Sequence, residues 1–165
     1  MTTVPVAPGP RGTADTLDEA DRAILRLLQR DATLSFERIG KRLDLSKTAV
    51  WNRVQRLQRD GLIKRQVALL DADRLGLSET VFVAIRTSQH SPDWLERFMA
   101  AIRDMPEIME AHRLTGDIDY LLKVKAASTR DFDRFYKSLI ERIDLFNVTS
   151  SLSMEVIKDT TELKV

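Results

Sequence analysis

The stretch that decides the fold runs over residues 35–61, SFERIGKRLDLSKTAVWNRVQRLQRDG. Ser35 and Ser46 each stand before a run of apolar residues at helical spacing: Phe36, Ile39 and Leu43, then Val50, Val54 and Leu57. A serine in that place caps a helix, because its hydroxyl accepts from a backbone N–H that has no intrahelical partner. Arg38 rather than a glutamate follows three residues after Ser35, so no full capping box is expected there. Asp44 and Leu45 leave only a tight turn between the two helices, and Gly61 stops the second. Gly40 lets a neighbouring segment come close.

Upstream, Leu17, Ala20, Ile24, Leu25, Leu27 and Leu28 recur at helical spacing. Asp18, Glu19 and Asp21 fall in the first turn, where the helix dipole favours acids. Downstream, LIKRQVALL over 62–70 alternates well enough for a strand that folds back as a wing. The pattern predicts a winged helix-turn-helix domain over 17–65, then a linker strand and turn over 66–79. Residues 1–16 carry Pro5, Pro8 and Pro10 with few large apolar residues, and are expected to be a disordered arm.

The 165 residues have a net charge of only +1, which hides an asymmetry. Residues 18–65 carry 12 Lys/Arg against 7 Asp/Glu, whereas residues 66–165 carry 13 against 17. A basic half joined to an acidic one points to a polyanion-binding module attached to something else. With Val50, Val54 and Leu57 turned inward, the second helix of the pair presents Lys47, Thr48, Trp51, Asn52, Gln55 and Arg59 outward. Asn52 and Gln55 have the donor–acceptor pair that reads adenine in the major groove, and Thr48 or Trp51 can touch a thymine methyl. Lys47, Arg53, Arg56, Arg59, Lys64 and Arg65 are candidates for the phosphates, and Ser46, the cap, is counted with the DNA-binding residues. The partner expected is double-stranded DNA. A charged solvated helix is the alternative for the basic face, and packing on the first helix is the alternative for Trp51.

The second half alternates between strand and helix periods. Strands are expected over 80–87, 108–114, 120–125 and 148–157, and helices over 92–103 and 129–143. The order β-α-β-β-α-β predicts a ferredoxin-like domain over 80–165, giving an α+β chain overall. Both helices of that arrangement cover one face of the sheet. The bare face calls for a partner, so a homodimer is expected.

Other functions are poorly served. The chain has no cysteine and only two histidines, His90 and His112, so no metal site or other cofactor is expected. No nucleophile motif or Gly-rich phosphate loop occurs, His112 reads as structural, and the chain is not expected to be an enzyme. An RNA-binding sheet would need an aromatic signature that is missing. An architectural, chromatin-like DNA-binding protein is harder to set aside. No apolar run is long enough to span a membrane, and the first residues lack a signal-peptide pattern, which fits a cytoplasmic, nucleoid-associated protein.

Taken together, L-D-x-x-D-x-x-I-L from Leu17, L-S-x-T-A-V-x-x-R-V-x-x-L from Leu45 and the G-L-I at Gly61 resemble the DNA-binding half of the Lrp/AsnC, or feast/famine, transcriptional regulators. HRLTGDIDYLLKV from His112 and TSSLSMEVIK from Thr149 resemble that family's effector-sensing domain. The resemblance implies dimers joined through the C-terminal sheets, assembly of dimers into octamers, and amino-acid sensing. Trp51 departs from it, since the family more often has a smaller or aliphatic residue there, and this leaves the operator sequence open.

By its residues alone, Thr115 to Tyr120 is a hairpin turn in which Asp117 bonds its own backbone. Gly116 would also let a ligand approach the backbone, free N–H groups there suit a carboxylate, and Asp119 suits an α-ammonium group. The resemblance favours this second reading. It implies an effector site at the contact between dimers, built from Arg113, Gly116, Asp117 and Asp119 on the loop side and Ser151, Leu152 and Ser153 on the last strand, with Thr129 as a further candidate. An arginine at 113 disfavours leucine, because leucine-sensing relatives are apolar there; a polar or acidic ligand, or an Arg113 turned into a subunit contact, are the alternatives. The segments TSQHSPDW, MPEI, DYLLKV, FYKSL, VTSS and MEVIKDTT look most like the cysteine-detoxification branch, which makes cysteine the expected effector.

Overall fold

The structure, a computed structural model, describes residues 17–89 and 91–165. The arm expected over 1–16 and His90 lie outside the described residues. The chain forms two compact units, one containing residues up to 69 together with 158–165, the other residues 70–157. The tail 158–165, expected within the sensing domain, therefore packs with the DNA-binding unit.

The first unit holds three helices, α1 (Glu19–Arg30), α2 (Phe36–Leu43) and α3 (Lys47–Arg59). Each start has its cap. Asp18 and Asp21 form a reciprocal capping box, with the Asp21 N–H donating to Asp18 at 2.8 Å and the Asp18 N–H to Asp21 at 3.4 Å. The Ser35 hydroxyl accepts from the Arg38 N–H at 3.2 Å, and the Ser46 hydroxyl from the Ala49 N–H at 3.1 Å. Between α2 and α3 the chain turns through Asp44 in the left-handed region (φ 55°), which Asp tolerates better than most residues. Gly40 closes this turn. A β-carbon on Gly40 would lie 2.4 Å from the Leu45 carbonyl oxygen, inside any permitted contact. Ile24, Leu34, Ile39, Val50 and Val54 form the core, with Leu57 also fully buried.

The expected strand over 62–70 is not formed: residues 64–70 are exposed and belong to no strand. Alternation there encodes an extended chain, but a strand also needs a neighbour to hydrogen-bond, and none is present among the described residues.

The second unit comprises β1 (Glu79–Arg86), α4 (Pro92–Arg103), β2 (Ile108–Arg113), β3 (Tyr120–Ala126), α5 (Thr129–Arg142) and β4 (Asn147–Leu152). The sheet order is β2-β3-β1-β4, every neighbouring pair antiparallel. Val81, Val83 and Ile85 of β1 and Tyr120, Leu122 and Val124 of β3 face Trp94, Phe98, Phe135 and Leu139 of the helices. Trp94 stacks on Phe98 at 5.2 Å between centroids, and Tyr120 closes the cluster 4.6 Å from Phe98. The opposite face carries Phe82 beside Lys123 and Ser151. β4, expected to reach residue 157, ends at Leu152, paired with Val81, and the Ser153 N–H still donates to Thr80 of β1 before the chain leaves the sheet. A bulge between Ile108 and Glu110 interrupts β2.

Candidate nucleic-acid interface and effector site

The outer face of α3 is open. Lys47, Thr48, Asn52, Gln55 and Arg59 are exposed, and Trp51 is 48% exposed rather than packed on α1. The uncovered half of the indole, in the first turns of the helix, is available to a partner. The Gln55 amide donates to Gln58 at 3.2 Å and Arg59 to Asp60 at 3.3 Å, both at the surface. Ser46 spends its hydroxyl on the cap.

Arg53 and Arg56 stand differently. Arg53 donates to Asp18 at 2.6 Å and to Asp21 at 2.8 Å, and Arg56 also donates to Asp21, whose carboxylate is wholly buried. These bonds tie α3 to the start of α1. The Asp21 N–H and then the Arg53 guanidinium hold the Asp18 carboxyl below its usual range, and the hydrogen bonds to Asp18 and Asp21 hold Arg53 the more firmly protonated. A buried carboxylate is stable only when paired, so the two arginines answer first to Asp21. Sequence spacing cannot show this, because the partners lie 32 to 35 residues apart.

In the sensing unit the candidate residues fall into two groups. The Asp119 carboxylate accepts from the Thr87 N–H at 2.8 Å, its own N–H donates to Ile85, and its carbonyl accepts from the Leu114 N–H. It thus fastens the 114–119 turn to the end of β1. Gly116, at φ 113°, and Asp117 are exposed in that turn, and Arg113 is exposed at the end of β2. Beside this end of β1 a shallow cleft of about 190 Å³, lined by Thr87, Ser88, Gln89, Asp144, Leu145 and Phe146, was not anticipated from the sequence. Ser151, Leu152 and Ser153 lie at the other end of β1, where the Ser153 N–H donates to Thr80 at 2.8 Å. Thr129 is there too, its hydroxyl 3.3 Å from both oxygens of Glu79. Five residue steps of strand set Ser153, at Thr80, roughly 17 Å along β1 from Asp119, at Ile85, and Ser151, at Phe82, is three steps from Ile85. One chain does not bring them together.

Among the described residues no helix is long and apolar enough to cross a membrane, and no cluster suited to a metal ion occurs. The AsnC-type helix-turn-helix domain matches residues 17–58, and the Lrp/AsnC ligand binding domain matches residues 80–163. The chain is 46% identical over 147 residues to the glutamate uptake regulatory protein of Zymomonas mobilis, covering 89% of this chain and 90% of that one. It is 43% identical over 150 residues to the DNA-binding transcriptional activator DecR of Escherichia coli, covering 90% and 99%. The crystal structure of an AsnC family transcriptional regulator from Agrobacterium tumefaciens superposes with a TM-score of 0.86 at 45% identity, covering 90% of this chain and 97% of that one. A transcriptional regulator from Neisseria meningitidis, solved in complex with L-Met, superposes with a TM-score of 0.85 at 29% identity, covering 90% and 96%. Both halves of the chain, in this order, match the same family along nearly their whole length, and so the protein belongs to the Lrp/AsnC family of DNA-binding transcriptional regulators with a ligand-binding domain, and is not an enzyme.

Proposed function

We propose that this regulator binds its operator through the outer face of α3, and that a small amino acid seated between dimers shifts that binding. Trp51, Asn52 and Gln55 meet base edges, Thr48 a thymine methyl, and Lys47 and Arg59 the phosphates, while Ser46 sets the start of the helix. Arg53 and Arg56 act mainly by fixing α3 on α1, with the exposed part of Arg56 left to reach a phosphate.

The observation that carries the effector reading is the separation of the two candidate groups along β1. Arg113, Gly116, Asp117 and Asp119 hold one end, and Thr129 with Ser151, Leu152 and Ser153 the other. A single pocket uses both only if a second copy supplies one of them. The exposed apolar side chains Val67, Leu69, Leu70 and Phe82 support a homodimer, and the divided site supports assembly of dimers into an octamer. Such a protein would work at the nucleoid. Gly116 and its neighbours offer N–H groups to the ligand carboxylate, and the Asp119 oxygen not committed to Thr87 offers a partner to its ammonium group. Cysteine, suggested by the resemblance of single segments to the cysteine-detoxification branch, is the first candidate, and Arg113 argues against leucine.

The test is a thermal-shift screen of the full chain against the protein amino acids, with hits repeated on Asp119→Asn. Asparagine keeps the acceptor for the Thr87 N–H and removes only the charge, which alanine would not do. A ligand at 100 times its Kd stabilises the native state by about 2.7 kcal/mol, and Asp119→Asn should remove most of that gain. A screen in which no amino acid raises the melting temperature would overturn the effector reading.

A further inference from the structure

We infer that residues 158–165 form a strap on α1 that gives the DNA-binding unit a second connection to the sensing unit, and that its docking sets how tightly the protein holds DNA. The chain passes between the units twice, at Leu69–Leu70 and again at Ile157–Lys158. The second passage ends on a stripe of α1 made by Arg26, Gln29 and Arg30, whose spacing puts them on one helical face. Gln29 is the centre of the contact. Its carboxamide oxygen accepts from the Leu163 N–H at 2.6 Å and its NH2 donates to the Leu163 carbonyl at 3.1 Å. A glutamine side chain offers one acceptor and one donor side by side, so it pairs with an extended backbone as a neighbouring strand would. Arg26 donates to the Val165 main-chain oxygen at 3.0 Å, and Arg30 to the Glu162 carboxylate at 3.2 Å. Arg26 also holds Glu19, so the end of the tail meets a cation already fixed in place.

These contacts fix a register. Leu163 alone faces Gln29, with Glu162 on one side and Val165 on the other. All of them are at the surface, where a single ion pair or hydrogen bond adds little. What holds the strap is its tether: the tail and α1 belong to one chain, so a weak contact between them is an intramolecular one. A contact balanced in this way is readily released. Release leaves the DNA-binding unit on one linker, and more freedom is then lost when it binds DNA. The strap begins just beyond Ser153, so the inference rests on the proposed regulatory role for its consequence and on α1 and the tail for its geometry.

The experiment compares the full chain with Gln29→Leu and with the charge swap Arg30→Glu/Glu162→Arg. Amide exchange is read at Leu163, and affinity for a fluorescent mixed-sequence DNA duplex is read at fixed salt. In the wild type, exchange at Leu163 should be slowed at least about tenfold relative to an open chain, and Gln29→Leu should abolish the slowing. Arg30→Glu alone should weaken it and the swap restore it. Gln29→Leu should raise the Kd for the duplex about threefold or more while leaving the melting temperature unchanged. Unslowed exchange at Leu163 in the wild type would show the strap undocked and overturn the inference. Slowed exchange with no change in DNA affinity in Gln29→Leu would overturn its regulatory part. A wild type that does not bind the duplex would instead sink the DNA-binding proposal, while exchange at Leu163 would still decide whether the strap docks.

Discussion

The two units hold their functional elements by different forces. In the sensing unit α4 and α5 are held by apolar burial: Trp94, Phe98, Phe135 and Leu139 lie against β1 and β3. In the DNA-binding unit α3 is held partly by charge, since Arg53 and Arg56 reach back to a fully buried Asp21. The difference is one of tolerance. Apolar packing has no direction and is lost in proportion to the volume removed, whereas a buried carboxylate is satisfied or it is not. On the proposed function, a sheet that accommodates ligands and partners suits the first, and a helix that presents Trp51, Asn52 and Gln55 at one angle suits the second.

The comparison breaks most severely at the aromatic cluster. Phe98→Ala removes the ring stacked on Trp94 and should destabilise the sensing unit by about 3–5 kcal/mol. With Trp51→Phe as background, Trp94 is the only tryptophan left, and its fluorescence in a urea titration reports that unit alone. Next comes Asp21→Ala, which leaves two guanidinium groups without their shared partner. Both are partly exposed and can turn to water, so a loss of about 2–3 kcal/mol is expected, below the full range for a buried pair. Amide exchange across α1 and α3 would measure it. If β1 and β3 lost protection equally, the two units would not be separate in their energetics.

The smallest effect is on acid. The Asp18 carboxyl is held low by the Asp21 N–H and by Arg53, and Glu110 by Lys123 at 2.9 Å and then by His112. Both carboxyls therefore favour the folded state above their unfolded pKa of about 4, and this contribution fades as pH falls through their lower folded values. Asp18→Asn should flatten the acid limb of the DNA-binding unit, and Glu110→Gln that of the sensing unit. Unit-resolved melting between neutral pH and pH ~3 would separate them.

Much of this was legible in the sequence because it is local. Ser35, Ser46, Gly61 and the apolar spacing between them give α2 and α3, and alternation gives β1 and β3. What was not legible depends on partners distant in the chain. Arg53 and Arg56 look like phosphate ligands on a helical wheel, because nothing in their neighbourhood announces Asp18 and Asp21. Residues 62–70 have the alternation of a strand but find no ladder among the described residues. β4 ends at Leu152, five residues before the alternation of its own sequence suggests. Asp119 reads as a ligand for an ammonium group, and half of its carboxylate is already committed to the Thr87 N–H.

The closed turn at Gly40 has a consequence for how freely the sequence can drift. Outward positions of α3 such as Lys47 and Gln58 touch little of their own unit, and a library should accept many residues there, with selection acting only through the DNA sequence recognised. Position 40 has no such freedom. Even alanine would put a methyl carbon 2.4 Å from the Leu45 carbonyl oxygen, a rigid backbone atom. If α3 reads the operator as proposed, operator preference can therefore change along its face one residue at a time, while the angle at which that face is offered stays the same.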